Sequence, residues 1–272
     1  MKTSSKILIV LILVLPSILV SSCKKDENKD TTFNIFSLED DIAFGKQLQQ
    51  QIESDPADYP LLDTIEYADA YAHVYRIRDS ILNSGELIYG DKFEWSVRII
   101  RDDSVLNAFA APGGYIFIYT GIIKFLDNEA EFAGVLGHEM THADRRHSTD
   151  QLTIAYGIQV LLGIIRGNNP NQMAEIAANL AAGVASLAFS RDAEYEADEY
   201  SVRYLYTTAY DARGVGGFFE KMEGSPQPPE FLSTHPNPGN RVDKIEEIWL
   251  ELGGKTGGEF AESYQAFKST IP

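Results

Sequence analysis

The stretch Gly137-His138-Glu139-Met140-Thr141-His142-Ala143 constrains this chain more than any other. Two side chains four residues apart share a face on an α-helix. His138 and His142 can therefore aim two imidazoles at one ion, with Glu139 turned slightly aside, toward a metal-bound water. Exposed or capped histidines on an ordinary helix give the same letters, so the rest of the chain has to decide.

A catalytic zinc takes three protein ligands and keeps one position open. Candidates for the third lie in Ser190-Arg191-Asp192-Ala193-Glu194-Tyr195-Glu196-Ala197-Asp198. Glu194 and Asp198 are also four apart. Glu194 can ligate a metal, and Asp198 can accept a hydrogen bond from a ligand histidine and so fix its tautomer. A solvated acidic helix face is the competing reading, and it suits Asp192, Glu196 and Glu199. His73 and His147 fall outside the motifs and receive no role. His147 lies five residues past His142, on another face of the helix.

Composition limits the partners. The chain has 272 residues and a formal net charge of -17. So acidic a protein is not expected to bind nucleic acid, because phosphate backbones call for a basic patch. Lys2 and Lys6 precede a nearly unbroken apolar run from Ile7 to Val20, too short for a comfortable span. The small residues Ser21 and Ser22 and then Cys23 follow, as in a secretory signal with a lipobox-like ending. Cys23 is the one cysteine in the sequence, and it stands where a lipid anchor needs it. Lys24 to Thr32 is charged and polar, as a flexible tether would be. The expected division is a lipoprotein signal peptide over 1–22, a lipid-anchored tether over 23–36 and one domain over 37–272. The expected place is the bacterial cell envelope, with the lipid on Cys23 in the outer membrane and the domain facing the periplasm or the cell surface.

Ser37, with Asp40 three residues on, caps a helix running to about Ser54. A second helix is expected from Asp63 to Asn83, with Ile65, Ala68, Ala72, Tyr75 and Ile77 on one stripe. Trp95 to Ile100 alternates and reads as a strand, Asn107 to Gly114 as a turn-rich stretch. Tyr115 to Thr120 is a second strand, placed near a sheet edge because Pro112 cannot donate to a ladder. Asp127 or Asn128 starts the helix that carries the two histidines, and Gly134 and Gly137 let it pack closely on the sheet. Leu152 to Ile165 and Met173 to Phe189 read as buried helices overhanging the cleft; a membrane hairpin is the alternative. Helices over Ser190 to Tyr206 and Arg241 to Leu250 complete the reading.

Four segments now stand in order: Asn107-Ala108-Phe109-Ala110-Ala111-Pro112-Gly113-Gly114-Tyr115; Gly137 to His142; Ser190-Arg191 with Glu194 and Glu196-Ala197-Asp198; and Thr234-His235-Pro236 with Arg241. Together they make the sequence similar, over roughly Leu38 to Trp249, to peptidase family M forty-eight, which includes HtpX, BepA and the CAAX prenyl endopeptidases. The resemblance implies an α+β, mainly helical, zincin-like fold of the gluzincin type, whose small sheet has an edge strand beside the active-site helix. It implies one Zn2+ per chain on His138, His142 and Glu194, Glu139 as general base, Asp198 behind a ligand, and Arg241 assisting or pairing with a carboxylate. It puts His235 near the metal, steadying an oxyanion or capping the resting ion. It lays Asn107, Ala108, Phe109 and Ala110 along the cleft, where a substrate peptide adds as a strand.

The function so implied is hydrolysis of peptide bonds in unfolded or misfolded envelope proteins. The alternatives are a chaperone-like holdase and a latent protease capped by His235. The chain stops at Pro272 and carries no series of membrane spans, so neither a repeat domain nor prenyl-peptide cleavage is expected.

Overall fold

Tyr115-Ile116-Phe117-Ile118-Tyr119 presents two sets of side chains to opposite faces of a strand, and both sets are buried. That requires helices on both sides of the sheet. The computed structural model describes residues 36–182, 188–223, 231–236 and 239–272. The expected signal, the expected tether up to residue 35 and the expected lipidation site Cys23 lie outside the described residues.

In chain order the elements are α1 (Leu38–Glu53), α2 (Ala68–Leu82), β1 (Ser96–Ile100), β2 (Ala108–Ala111), β3 (Tyr115–Tyr119) and α3 (Thr120–Phe125). There follow α4 (Glu129–Asp144), α5 (His147–Tyr156), α6 (Ile158–Ile165), α7 (Pro170–Ala181) and α8 (Arg191–Tyr206). Last come α9 (Gly214–Glu223), α10 (Phe231–Thr234), α11 (Arg241–Glu251) and α12 (Ala261–Lys268). The fold is mainly helical around one small sheet, as the α+β reading expects.

The sheet runs β1-β3-β2, with β1 parallel and β2 antiparallel to β3. β3 is therefore the central strand, not one near an edge. Pro112 sits in the turn between β2 and β3, where it owes the ladder nothing, and β2 is an edge strand. One face of the sheet puts Val97, Ile99, Ile116 and Ile118 into a core shared with α2, α4, α8 and α9. The other puts Phe109, Phe117 and Tyr119 against α1, α5, α6 and α7. Each such aliphatic or aromatic side chain contributes roughly 1.5–3 kcal/mol on full burial.

Two caps read from sequence are present, and Ser190 adds a third. Ser37 and Asp40 form the capping box of α1, Asn128 Oδ1 accepts from Glu131 N at 2.9 Å, and Ser190 Oγ accepts from Ala193 N at 3.1 Å. Other boundaries differ from expectation. α2 begins at Ala68, because the Asp63 carboxylate accepts from the backbone of Ile65 and Glu66 and holds a turn there; Ile65 is 85% exposed and off the buried stripe. The apolar stretch from Leu152 to Ile165 is two helices, broken at Gly157 with φ 76°. α7 ends at Ala181, and Phe189 is not helical. Among the described residues no helix is long and apolar enough to cross a membrane.

Gly134 and Gly137 pack on helices rather than on the sheet. A Cβ on Gly134 would stand 2.1 Å from the backbone nitrogen of Val215, at the start of α9. A Cβ on Gly137 would stand 3.0 Å from Ser201 Oγ on α8. Ser201 Oγ donates to the Gly134 carbonyl at 2.9 Å. These contacts lock α4, which carries the histidines, against α8, which carries the carboxylates.

Candidate metal centre

α4 and α8 bring His138, His142 and Glu194 together, and the residue after α10 adds His235. One donor atom from each of the four lies within 4.8 Å of every other, and all four residues are buried. His138 Nε2 stands 3.1 Å from His142 Nε2 and 3.3 Å from His235 Nδ1. Glu194 Oε1 stands 3.4 Å from His142 Nε2 and 3.1 Å from His235 Nδ1. Donors around a tetrahedral zinc at about 2.0–2.1 Å stand about 3.3–3.4 Å apart. Three imidazoles and a carboxylate also suit that ion by chemistry.

Buried polar atoms left without partners support the same fit. Among the described residues neither oxygen of Glu139 nor His235 Nε2 has a hydrogen-bond partner, although all are shielded from solvent. Such orphans in one place call for an explanation, and a site built to act on a further group beside the four donors provides one. Glu139 Oε1 lies 3.4 Å from His235 Nε2, close but outside hydrogen-bond geometry.

The charges are set for a cation. Burial alone would lower His138, but hydrogen bonds to Asp198 and Glu194 outweigh it and hold the ring up at about 9. Burial drives His142 well below its ordinary value, so it stays a neutral donor. Burial would raise Glu194, yet the charge of His235 and hydrogen bonds with His138, His142 and His235 hold it well below the usual carboxylate range. Glu139 is pushed up, chiefly by burial. Metal binding takes the place of a proton at such a site.

Two further shells stand behind the histidines. His138 Nδ1 is 3.0 Å from Asp198 Oδ1. Arg241 grips Asp198 with two bonds of 2.6 Å and meets Glu194 Oε2 at 2.9 Å. It also lies over the Phe219 ring at 3.8 Å. Arg241 thus pairs with carboxylates, one of the two roles expected of it. Behind His142 stands His147, Nδ1 to Nδ1 at 3.1 Å. His147 Nε2 is 3.2 Å from Glu196 Oε2, and Arg145 Nε donates to Glu196 Oε1 at 2.7 Å. Burial would raise Glu196, but hydrogen bonds from His147 and Arg145 hold it down to about 2.

Sequence reasoning missed this second group. It put His147 on another helical face and left Glu196 on a solvated one. The cause is Arg146, in the left-handed region at φ 61°, which ends α4 and turns the chain so that α5 begins at His147. That backbone costs about 1 kcal/mol or more. It is held by Arg146 Nε donating to buried Asp41 at 2.6 Å, with Thr149 Oγ1 donating to the same carboxylate at 2.9 Å. The run Arg145-Arg146-His147 was the available signal, but the turn inside it carries no glycine or asparagine to mark it.

The edge strand borders the centre. A cavity of about 20 Å³ touches Phe109, Ala110, Leu152, Phe189, Thr234 and His235, room for about one water. Two backbone groups of β2 are taken by side chains: Asn107 Oδ1 accepts from Ala108 N at 2.9 Å, and Ser148 Oγ donates to the Ala110 carbonyl at 2.7 Å.

The sequence profile described as Peptidase family M48 matches residues 76–249, well over half of the chain. The chain belongs to peptidase family M48. The matched span includes both histidines of α4, Glu194, His235 and Arg241. Among curated relatives, the mitochondrial metalloendopeptidase OMA1 of Schizosaccharomyces pombe is 31% identical over 163 residues, covering 58% of this chain and 47% of that protein. A putative beta-barrel assembly-enhancing protease of Vibrio cholerae is 27% identical over 234 residues, 72% of this chain and 48% of that one. The beta-barrel assembly-enhancing protease of Escherichia coli is 30% identical over 157 residues, 53% and 32%. The chain thus spans about half, or less, of the length of these family members.

Proposed function

We propose that the chain is a zinc-dependent metalloendopeptidase that hydrolyses peptide bonds of unfolded or misfolded envelope proteins. One observation carries the reading: a buried, unpartnered Glu139 carboxylate stands beside four converging metal donors. His138, His142 and Glu194 would hold one zinc per chain. Bound there, zinc supplies Lewis-acid polarisation of a carbonyl and activation of water. Glu139 is the general base. Burial raises its affinity for a proton, as suits a group that must accept a proton and then return it to the leaving amine. Asp198 fixes His138, and Arg241 offsets the negative charge of Asp198 and Glu194. The substrate peptide adds to β2 along Asn107, Ala108, Phe109 and Ala110, displacing Asn107 and Ser148 from the strand's backbone groups.

A second reading is favoured by His235. Its Nδ1 completes a set of four protein donors, and a closed set leaves no position for substrate. His235 then caps a resting, latent enzyme and has to swing away for turnover. Family membership and the names of the bacterial relatives, which refer to β-barrel assembly, support an envelope substrate. The signal over 1–22, the tether over 23–36 anchored through lipid on Cys23, and the metallopeptidase domain over 37–272 belong to the same proposal.

The test is cleavage of casein, with zinc content measured alongside, for wild type, Glu139→Gln and His235→Ala. Glu139→Gln is expected to keep zinc and lose at least about 100-fold in turnover, the least expected for loss of a general base. Normal cleavage by that variant removes the mechanism. A rise in His235→Ala supports the cap; a fall supports the oxyanion role. Retained binding of unfolded protein without cleavage in wild type would favour a holdase.

A further inference from the structure

This inference rests on the metal-centre reading and extends it outward from His142. The ring offers Nε2 to the donor cluster, 3.1 Å from His138 Nε2 and 3.4 Å from Glu194 Oε1. A nitrogen that gives its lone pair to a metal carries no proton, so in the neutral ring the proton sits on Nδ1. That Nδ1 faces Nδ1 of His147 at 3.1 Å. One of two facing imidazole nitrogens has to donate and the other accept. His142 is the donor, so His147 accepts and carries its own proton on Nε2. His147 Nε2 meets Glu196 Oε2 at 3.2 Å, and an ionised carboxylate can only accept. The whole chain therefore has one consistent proton assignment, running from His142 to His147 to Glu196. Arg145 fixes its far end, bonding Glu196 at 2.7 Å and resting on the Tyr200 ring at 3.9 Å.

We propose that His147 is a positioning residue for the metal centre: it fixes the tautomer and orientation of His142, and Glu196, held by Arg145, fixes His147. His147 touches neither substrate nor metal. Its role is the one a carboxylate performs directly for His138, carried out here through an additional ring.

The test reads zinc affinity, which differs from catalysis and from mere folding. Zinc dissociation constants are measured by chelator competition on the full chain for wild type, His147→Ala, His147→Asn, His147→Gln and Glu196→Ala, together with thermal melting of each metal-free form. Asparagine puts an oxygen near the place of Nδ1 and keeps the acceptor for His142. Glutamine puts its amide nearer the place of Nε2 and keeps only the contact with Glu196. Alanine and glutamine are expected to weaken zinc binding by about 10- to 100-fold, asparagine by only a few-fold, and Glu196→Ala by several-fold. Wild-type affinity in His147→Ala overturns the proposal, as does an asparagine variant as weak as alanine, which would make the ring a packing element. If His147→Ala melts early, Glu196→Ala decides, since Glu196 is 38% exposed at its side chain and little packing depends on it; unchanged affinity there overturns the proposal. Failure of wild type itself to bind zinc would instead sink the metal-centre reading.

Discussion

The two histidines of α4 are supported in different ways. His138 leans directly on Asp198, and Asp198 on Arg241; all three side chains are no more than 1% exposed. His142 leans on His147, then Glu196, then Arg145, and this arm reaches the surface at Glu196. Each arm begins at a histidine of α4 and ends in an Arg–carboxylate pair. One is dry and short, the other longer and wetted at its end. Burial therefore decides how much each arm is worth. In the dry arm no charge can be relieved by water, so each partner is indispensable to the others. In the wet arm solvent can take over when a partner is lost.

The largest expected effect is in the dry arm. Arg241→Ala leaves Asp198 and Glu194 buried without their cation and is expected to cost about 3–5 kcal/mol in urea unfolding of the metal-free chain. A loss below 1 kcal/mol would mean that the two arms do not differ as described. Next comes Asp198→Asn, expected to weaken zinc binding about 10- to 100-fold by chelator competition, since the His138 ring loses its charged acceptor.

A histidine in neither arm provides a control. His73 stacks on Phe267 at 4.2 Å between α2 and α12. Burial, with some help from Arg76 and against the pull of Glu129, lowers it from 6.5 to about 4. The unfolded chain thus takes up the proton first as pH falls, so stability is lost between pH 6.5 and about 4. Urea unfolding at pH 7 and pH 5 is expected to differ by about 1–2 kcal/mol from this group. His73→Gln should reduce the difference equally with and without zinc. A reduction seen only in the zinc-loaded form would tie His73 to the centre. The smallest effect is in the wet arm, where Arg145→Ala is expected to cost about 1 kcal/mol or less. That cost should shrink in 1 M salt, where the Debye length is about 3 Å, whereas the cost of Arg241→Ala should persist.

The contrast also explains what the sequence disclosed. The donor cluster and the Asp198 behind it were legible because their spacing is helical: His138 with His142 on α4, and Glu194 with Asp198 on α8, each pair four apart. Helix periodicity and the caps Ser37 and Asn128 are local signals that do not depend on distant contacts. The wet arm was hidden because it depends on one left-handed residue, Arg146, stabilised by Asp41 more than a hundred residues earlier. No local pattern encodes that contact. The same holds at Gly157, which splits one apolar stretch into two helices, and at β3, whose central place follows from packing on both faces rather than from the nearby proline. Gly134 and Gly137 were correctly read as close-packing positions, but their partners, Val215 and Ser201, come from distant segments.

The most direct measurement is zinc-edge X-ray absorption on the full chain, with metal content determined on the same sample. The account predicts one zinc per chain, bound by two imidazole nitrogens, from His138 and His142, and by a carboxylate oxygen from Glu194. A third imidazole in the wild-type shell, lost in His235→Ala with the zinc left in place, would show that His235 caps the resting site. Absence of bound zinc, or a shell that His142→Ala and Glu194→Ala leave unchanged, would contradict the account.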